Sequence, residues 1–533
     1  MFYFVHGKVK EIRKTVENKT SFSSQERGRC LKHLEDWTHD LLVVGGGLTG
    51  AALALKASGR GLKVALVEQG DFASGASGAP VLPFEESPQA LSSFRHMAPH
   101  LFRPGPWLEL ERRAGSFGKL SKKLELGARG LLKGPGELGP AHWVEQAELR
   151  AREPLLADSD FTCGVSGPGY QISAPRLCLS MLRGAAEKGA SVLNYLRAET
   201  LIMEGGRVSG AWVRDLLDPK DEDFAIHARH VVLATGAWDR LWPEAQELKV
   251  ATKAILLSVP RERLPLRAAL RLPAETPCLP WLSPHGQAVA IGGVLPCSGE
   301  ASESGSASDA EVRALLAPIN EALPALSLQV EHVQARWAAP QARRGKASSG
   351  FRSTSEGLSL AWLGSPRELP DLARKILDSL ARQQKADARP EPSRWGQEQL
   401  AGGDFDFEPM EHLLDEMARS LYDQAKPLGA TSLQSHELFR RHGTQTEAIV
   451  ERAYELFDIR RDKHHLLARA ELAHCVESEM LYQEQDFLWR RTDLAFAQPG
   501  LAQEIAGVAR QELPRLLAEA KPSPQRHPSL AEE

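Results

Sequence analysis

Little in this sequence would fasten a fold together covalently. Six cysteines, at 30, 163, 178, 278, 297 and 475, are scattered over 533 residues with no CxxC pair. That pattern disfavours a disulfide framework and a zinc knuckle, and it fits a reducing, cytoplasmic setting. Charge of one sign is also missing: 65 Lys+Arg against 69 Asp+Glu leave a formal net charge of −4. No global basic field exists to hold a nucleic acid or an anionic membrane, so no nucleic-acid partner is expected. Long apolar runs are absent as well, and nothing approaches the ~18 uninterrupted residues of a membrane span. The first residues, MFYFVHGKVKEIRK, lack the apolar region and cleavage site of a signal peptide, and residues 1–38 read as an extension outside the main fold.

What is present is a composition that is 42% hydrophobic and 25% charged, enough for a sizeable core. At roughly 150 residues per domain, the length suggests three or four domains. Residues 40–69, DLLVVGGGLTGAALALKASGRGLKVALVEQ, read as strand, glycine turn, Ala/Leu-rich helix and second strand. The segment APRLCLSMLRGAAEKGASVLNY predicts a helix and a strand, and GRVSGAWVRDL with FAIHARHVVLATG a β-meander leading to another buried strand. Residues around 100–160 combine charged helical stretches such as ELERRAGSFGKLSKKLEL with glycine-rich breaks (GARGLLKGPGELGP), and together with strand-like runs within 246–345 they read as inserted segments of a β-rich substrate or cap domain. Residues 296–310 are low-complexity and read as a mobile loop. Polar, proline-rich residues 381–400 form a linker to a helical domain over 401–515, and 516–533 read as a disordered tail. The expected architecture is thus α/β: a Rossmann-like nucleotide-binding domain over 39–380 with an interleaved β-rich cap, followed by an all-α domain.

Gly45, Gly47 and Gly50 form GxGxxG after the strand LLVV and before the helix, and Glu68 ends the next strand, 18 residues past Gly50. Gly45 permits the tight turn, Gly47 removes the side chain that would block a pyrophosphate, and Gly50 lets helix and strand approach. The helix N-terminus then offers N–H groups and positive dipole to the phosphates. Glu68 is placed to accept both ribose hydroxyls of an adenosine, which disfavours a 2′-phosphorylated cofactor. The strand VVLATGAWD brings Thr235 and Gly236 to a second small-residue strand end where a cofactor can approach.

The run DLLVVGGGLTGAALALKASGRGLKVALVEQGDFASGAS resembles the start of the FAD-dependent glycerol-3-phosphate dehydrogenases, within the larger family of glycine- and D-amino-acid-oxidase-like flavoproteins. APHLFRP at 98–104, GAAEKGASVLNYLRAE, the strand into ATGAW and PRERLPLRAALRLPA follow in the family's order. GGDF at 402–405 and a helix expected to run through Glu471, Glu479, Met480, Asp486, Phe487, Leu488, Arg490, Arg491 and Thr492 resemble its helical domain. The resemblance covers roughly residues 40–515. It implies FAD as cofactor and hydride removal from C2 of glycerol 3-phosphate, giving dihydroxyacetone phosphate. Electrons would pass to a quinone at the membrane surface or to oxygen, with peripheral attachment to the inner face and a homodimer as further expectations. It adds Gln69, Ser74, Ser77 and Gly364 to the expected cofactor contacts.

Four substrate-side motifs depart from the family pattern. After GDFASG the family's Ser/Arg/Lys-rich turn and His-Gly-Gly segment are replaced by ASGAPVLPFEESPQALSSFRH, which is shorter. Where the family has Trp-Ala-Gly-Leu-Arg-Pro, this chain has Trp337, Ala338, Ala339, Pro340, Gln341 and Ala342, so the arginine that meets the substrate phosphate becomes Gln341. The Gly-Gly-Lys turn becomes Leu363, Gly364 and Ser365, and Gly-Thr-Thr-Asp becomes Gly292, Gly293, Val294, Leu295 and Pro296. Each lost charge-assisted contact to a phosphate is worth ~1.5–3 kcal/mol. The alternative expectation is therefore a catalytically impaired FAD-binding relative that acts as a structural or interaction protein. Arg343, with Arg344 and Lys346 beside it, is the candidate replacement for the lost arginine, given a two-residue slip that preserves facing. His96 and His100 lie near the missing segment as candidate bases, although capping or surface roles are commoner. His464 and His465 lack metal-ligand spacing, DFDFE at 404–408 reads as a turn, and no metal is expected.

Overall fold

The computed structural model describes residues 22–84, 88–112, 141–218, 222–241, 249–273, 275–297, 305–343, 349–383, 396, 398–405, 411–460 and 465–519. Apolar strands Leu41–Val44 and Val64–Val67 flank the helix Leu48–Gly59. They form the centre of a six-stranded sheet ordered Gly350–Ser355, Leu358–Trp362, Val231–Leu233, Leu41–Val44, Val64–Val67 and Ser191–Leu193. Apart from the antiparallel edge strand Gly350–Ser355, neighbours run parallel. Each of the four inner strands Leu358–Trp362, Val231–Leu233, Leu41–Val44 and Val64–Val67 is buried throughout, as a sheet covered on both faces requires. The helix Leu48–Gly59 is buried along nearly its whole length because Ala and Gly dominate it, and the helices Ala174–Glu187 and Leu369–Gln383 pack against it.

A small antiparallel sheet (Leu196–Glu204, Arg207–Asp215, Phe224–His227) confirms the meander read from the sequence. The cap is a nine-stranded sheet running from Ala335–Arg343 through Lys249–Pro260, Ala288–Pro296, Trp281–His285, Ala269–Arg271, Phe102–Glu111 and Cys163–Ile172 to Leu82–Phe84, with His142–Glu145 paired on Cys163–Ile172. Side chains alternate between its two faces. One face, with Leu108, Leu270, Leu282 and Ile291, packs on the helix Asp309–Ala322. The other carries Trp281, Leu256, Ala290 and Trp337 towards Ala79 and Val81 of the nucleotide-binding unit.

Several expectations differ from what is observed. Residues 1–38 do not all lie outside the main fold: the helix Arg27–Asp36 buries Cys30 and Leu34, four residues apart on one face, and Arg27 pairs with Asp215 at 2.7 Å. Residues 109–111 of the charged stretch are strand rather than helix, because Leu108 and Leu110 alternate into the cap core. The end of the low-complexity loop is ordered: Ser308 caps the helix Asp309–Ala322 in a reciprocal capping box with Glu311. The last helix, Pro499–Ala518, runs past residue 516, and residues 520–533 lie outside the described residues. So do most of the linker and of DFDFE.

The helical domain comprises Glu411–Ala425, Ser432–His442, Thr446–Arg460, Leu466–Ser478 and Pro499–Ala518. The continuous helix expected through 471–492 is broken. Leu466–Ser478 ends, Met480 adopts φ 52°, and helical structure resumes at Glu484. The break has a cause in charge. Glu479 accepts from Arg176 at 2.8 Å on each oxygen, and its carbonyl accepts from Arg491 Nη2 at 2.9 Å. Arg491 also donates to both oxygens of Asp71, at 2.7 and 3.0 Å, while Arg490 Nε donates to Asp71 Oδ2 at 2.6 Å. Asp71 belongs to GDFASG, so this motif anchors the helical domain to the nucleotide-binding unit. Its carboxyl is held below the usual carboxylate range: the two guanidiniums outweigh the effect of burial. Asp71→Asn leaves the fully buried Arg491 without its main counter-charge and is expected to cost about 3–5 kcal/mol in urea unfolding.

Candidate functional site

Between the six-stranded sheet and the edge of the cap lies a cleft of ≈ 1650 Å³, counting space that is open to solvent. Its floor is the glycine turn. Gly45 has φ +113°, and a Cβ there would sit 2.5 Å from the Ala234 carbonyl oxygen. A Cβ on Gly50 would come within 1.9 Å of the Gly45 oxygen. These two glycines are therefore required by the fold itself. Gly47 has an ordinary φ of −84° and faces the cleft, where an added Cβ would lie 3.0 Å from Ser77 Oγ.

Glu68 closes the turn. Its Oε2 accepts from the Gly46 amide at 2.7 Å and its Oε1 from the Gly70 amide at 2.8 Å. Burial pushes its carboxyl above the ordinary range, and the two amides partly oppose that shift. A carboxylate has about four acceptor positions, so two remain for a diol presented from the cleft. Ser77 Oγ accepts from the Leu48 amide at 2.9 Å, covering the first turn of the helix. Thr235 Oγ1 is buried at the cleft wall with no hydrogen-bond partner among the described residues, as expected of a group awaiting a polar ligand.

Of the residues singled out from the sequence, Gly45, Gly47, Glu68, Gln69, Ser74, Ser77, Thr235, Gly236 and Gly364 all line this one cleft. Gly50 lies behind it, in helix–strand packing. Arg343 is the last residue of its strand, and Arg344 and Lys346 lie outside the described residues. His96 is exposed, and His100 is buried against Gly402 and Gly443; neither reaches the cleft. His465 approaches Glu504 at 3.5 Å, and His464 lies outside the described residues.

Sequence reading missed Arg197 and Glu199, which line the cleft as an ion pair of 2.7 Å on the strand leaving the nucleotide-binding unit. Only their placement one turn of pleat apart in a strand signals it. It also missed a cluster of His442, His474 and Glu479 with ligand atoms within 4.8 Å of one another. The Glu479 carboxylate there is already bonded to Arg176, so the arrangement serves charge pairing.

The cleft's other end is lined by Leu82, Pro340, Gln341, Leu363 and Gly364. Gln341 accepts from Thr252 Oγ1 at 3.4 Å, and the Gly364 amide donates to Ser349 Oγ at 2.7 Å. Beyond it, Val81, Leu256, Ala290, Trp337, Ala339 and Phe496 form an apolar cluster. Among the described residues, the titratable side chains that line the cleft are Glu68, Arg197 and Glu199, all outside this end.

The family model for FAD dependent oxidoreductases matches residues 40–361, and that for the C-terminal domain of alpha-glycerophosphate oxidase matches 396–517. The chain is 27% identical over 516 residues to the aerobic glycerol-3-phosphate dehydrogenase of Staphylococcus epidermidis, covering 89% of this chain and 90% of that one. The protein of the same name from Staphylococcus aureus is 27% identical over 515 residues, with the same coverage. In fold it is similar to the glycerol-3-phosphate dehydrogenase from Bacillus halodurans complexed with FAD, with TM-score 0.77 and 24% identity over 93% of this chain and 94% of that one.

Gly47→Val keeps an allowed backbone but places a branched side chain in the cleft. It is expected to leave the far-UV circular dichroism spectrum and melting temperature near wild type while abolishing retention of the dinucleotide on purification.

Proposed function

The chain belongs to the FAD-dependent oxidoreductase family, and from that premise we propose that it binds FAD in the cleft and oxidises a small secondary alcohol of the glycerol 3-phosphate type. The observation that carries this reading is the convergence of the glycine turn, the Glu68 carboxylate and the unpartnered Thr235 hydroxyl on one cleft. Bound FAD supplies a two-electron acceptor for the hydride lost from the alcohol carbon. Gly45 and Gly47 let the diphosphate approach the start of the helix Leu48–Gly59, and Glu68 accepts the ribose hydroxyls. Gln69, Ser74, Ser77, Thr235 and Gly236 complete the wall, and Gly364 borders the flavin end. Electrons then pass to a quinone at the membrane surface or to oxygen. Among the described residues no helix is long and apolar enough to cross a membrane, so contact with a bilayer would be peripheral to its inner face, from the cytoplasm. A homodimer remains part of this reading from the resemblance alone.

A second reading is favoured by the neutral end of the cleft: a FAD-binding relative that no longer turns over glycerol 3-phosphate and acts as a structural or interaction protein. Gln341 replaces a guanidinium, and no titratable side chain among the described residues borders that end. Anaerobic addition of glycerol 3-phosphate separates the two. Bleaching of the visible flavin band supports the oxidoreductase, and an unchanged spectrum supports the second reading. Under the first, Gln341→Arg adds a charge-assisted contact of ~1.5–3 kcal/mol and is expected to raise kcat/KM roughly tenfold or more.

A further inference from the structure

A second chamber lies between the cap sheet and the helical domain, on the far side of Pro80 and Val81 from the cleft. It has two adjoining lobes, of ≈ 500 and ≈ 960 Å³ counting space that is open to solvent, with His285, Glu437, Arg441 and Asp493 common to their walls. The smaller lobe is lined by six arginines, at 103, 176, 440, 441, 490 and 491, but by only two carboxylates, Glu437 and Asp493. The acids that neutralise four of these arginines stand behind the wall. Asp71 and Asp486 hold Arg490, Asp71 and Glu479 hold Arg491, Glu479 holds Arg176, and Glu471 holds Arg441, yet none of these acids lines this lobe. Arg103 meets Glu437 on this wall itself, at 2.6 Å to each oxygen, and Arg440 approaches Asp415 at 3.6 Å, so the lining carries six guanidiniums against two carboxylates.

Three buried groups on this wall are also incompletely bonded among the described residues: Arg176 Nε, Arg491 Nε and His285 Nδ1. All three residues are more than nine-tenths buried, with 6%, 0% and 7% of their surface exposed. The other nitrogen of His285, Nε2, meets Asp493 Oδ2 at 2.9 Å. Asp493 reaches it from a left-handed backbone conformation, φ 54°. The larger lobe is mixed in character: Glu437, Arg441, Glu471 and Asp493 line it together with Leu438, Leu466, Leu494, Leu501 and Ile505 of the helical domain.

We propose that this chamber binds a single-chain anionic amphiphile, its head group against Arg103, Arg176, Arg491 and His285 and its hydrocarbon chain in the leucine-lined lobe of the helical domain. Charge complementarity selects the head, and the adjoining apolar lobe selects the chain. The site is separate from the flavin cleft and does not depend on what that cleft binds. Two head groups share this chemistry, a carboxylate and a phosphate monoester.

Calorimetric titration of the full-length purified protein tests the site with decanoate, decyl phosphate, decanol and inorganic phosphate, each below its micellar concentration. One of the two chained anions is expected to bind at one per chain, at least tenfold more tightly than decanol and than inorganic phosphate, and the tighter of the pair identifies the head. Leu501→Trp fills the apolar lobe and is expected to weaken the chained anion at least tenfold. His285→Gln is expected to weaken it by several-fold while sparing decanol. Should Leu501→Trp fail to fold, Gln498→Trp at the same lobe replaces it. Decanol binding as tightly as both anions, or chained-anion affinity unchanged in both the lobe-filling variant and His285→Gln, would overturn the proposal.

Discussion

The buried carboxylate of Asp71 is the point where the two halves of this protein depend on one another. It accepts from Arg490 and Arg491 of the helical domain and from Asn194 Nδ2 at 2.9 Å, and Asp71, Arg491 and Asn194 are buried. A charge pair in such a place adds less net stability than its geometry suggests, because both ions lose hydration. Its value lies in the penalty for separation. A domain docked in any other register would bury Asp71 or Arg491 without its partner, so the pair fixes how the turn carrying Asp71 meets the helical domain. That turn continues through Ser74 to Ser77, whose hydroxyl covers the start of the nucleotide-binding helix. The shape of the cleft therefore rests on an interaction with a domain that supplies none of the residues lining it.

The two ends of that cleft obey different physical rules. At the glycine end, recognition is built from backbone: amides, a helix terminus and one carboxylate that the backbone itself orients. Such a site tolerates little variation because a Cβ at Gly45 or Gly50 collides with main-chain atoms, which cannot move aside. At the other end recognition would be built from side chains, and there the chain presents Leu82, Pro340, Gln341 and Leu363 with tryptophans behind them. A pocket can thus keep its dinucleotide cradle while its substrate preference is recast, because the two tasks share almost no atoms.

Legibility from sequence follows the same division. The strand–turn–helix unit, its three glycines and Glu68 were readable because each is dictated by local backbone geometry within 28 residues, from Leu41 to Glu68. The meander was readable from its alternating pattern and the strand-like runs within 246–345 from their apolar content, whereas the end of the strand Phe102–Glu111 was hidden among charges. What escaped reading depends on groups far apart in the chain. Arg491 and Asp71 are separated by 420 positions, and the helix break at Glu479 results from Arg176 and Arg491 rather than from any local breaker. The N-terminal helix was read as outside the fold because Cys30 and Leu34 give only one short apolar stripe among charges, and its partners lie elsewhere in the chain. Arg343 ends the strand Ala335–Arg343, and Arg344 and Lys346 beside it lie outside the described residues.

Flavin stoichiometry is the most direct measurement of whether the glycine turn and Glu68 still grip an adenine-bearing flavin. Purified protein, or apoprotein titrated with FAD and followed by quenching of flavin fluorescence, should retain one FAD per chain through gel filtration. Protein that emerges colourless and takes up no FAD would contradict the cofactor assignment and leave the cleft an inherited shape without its ligand.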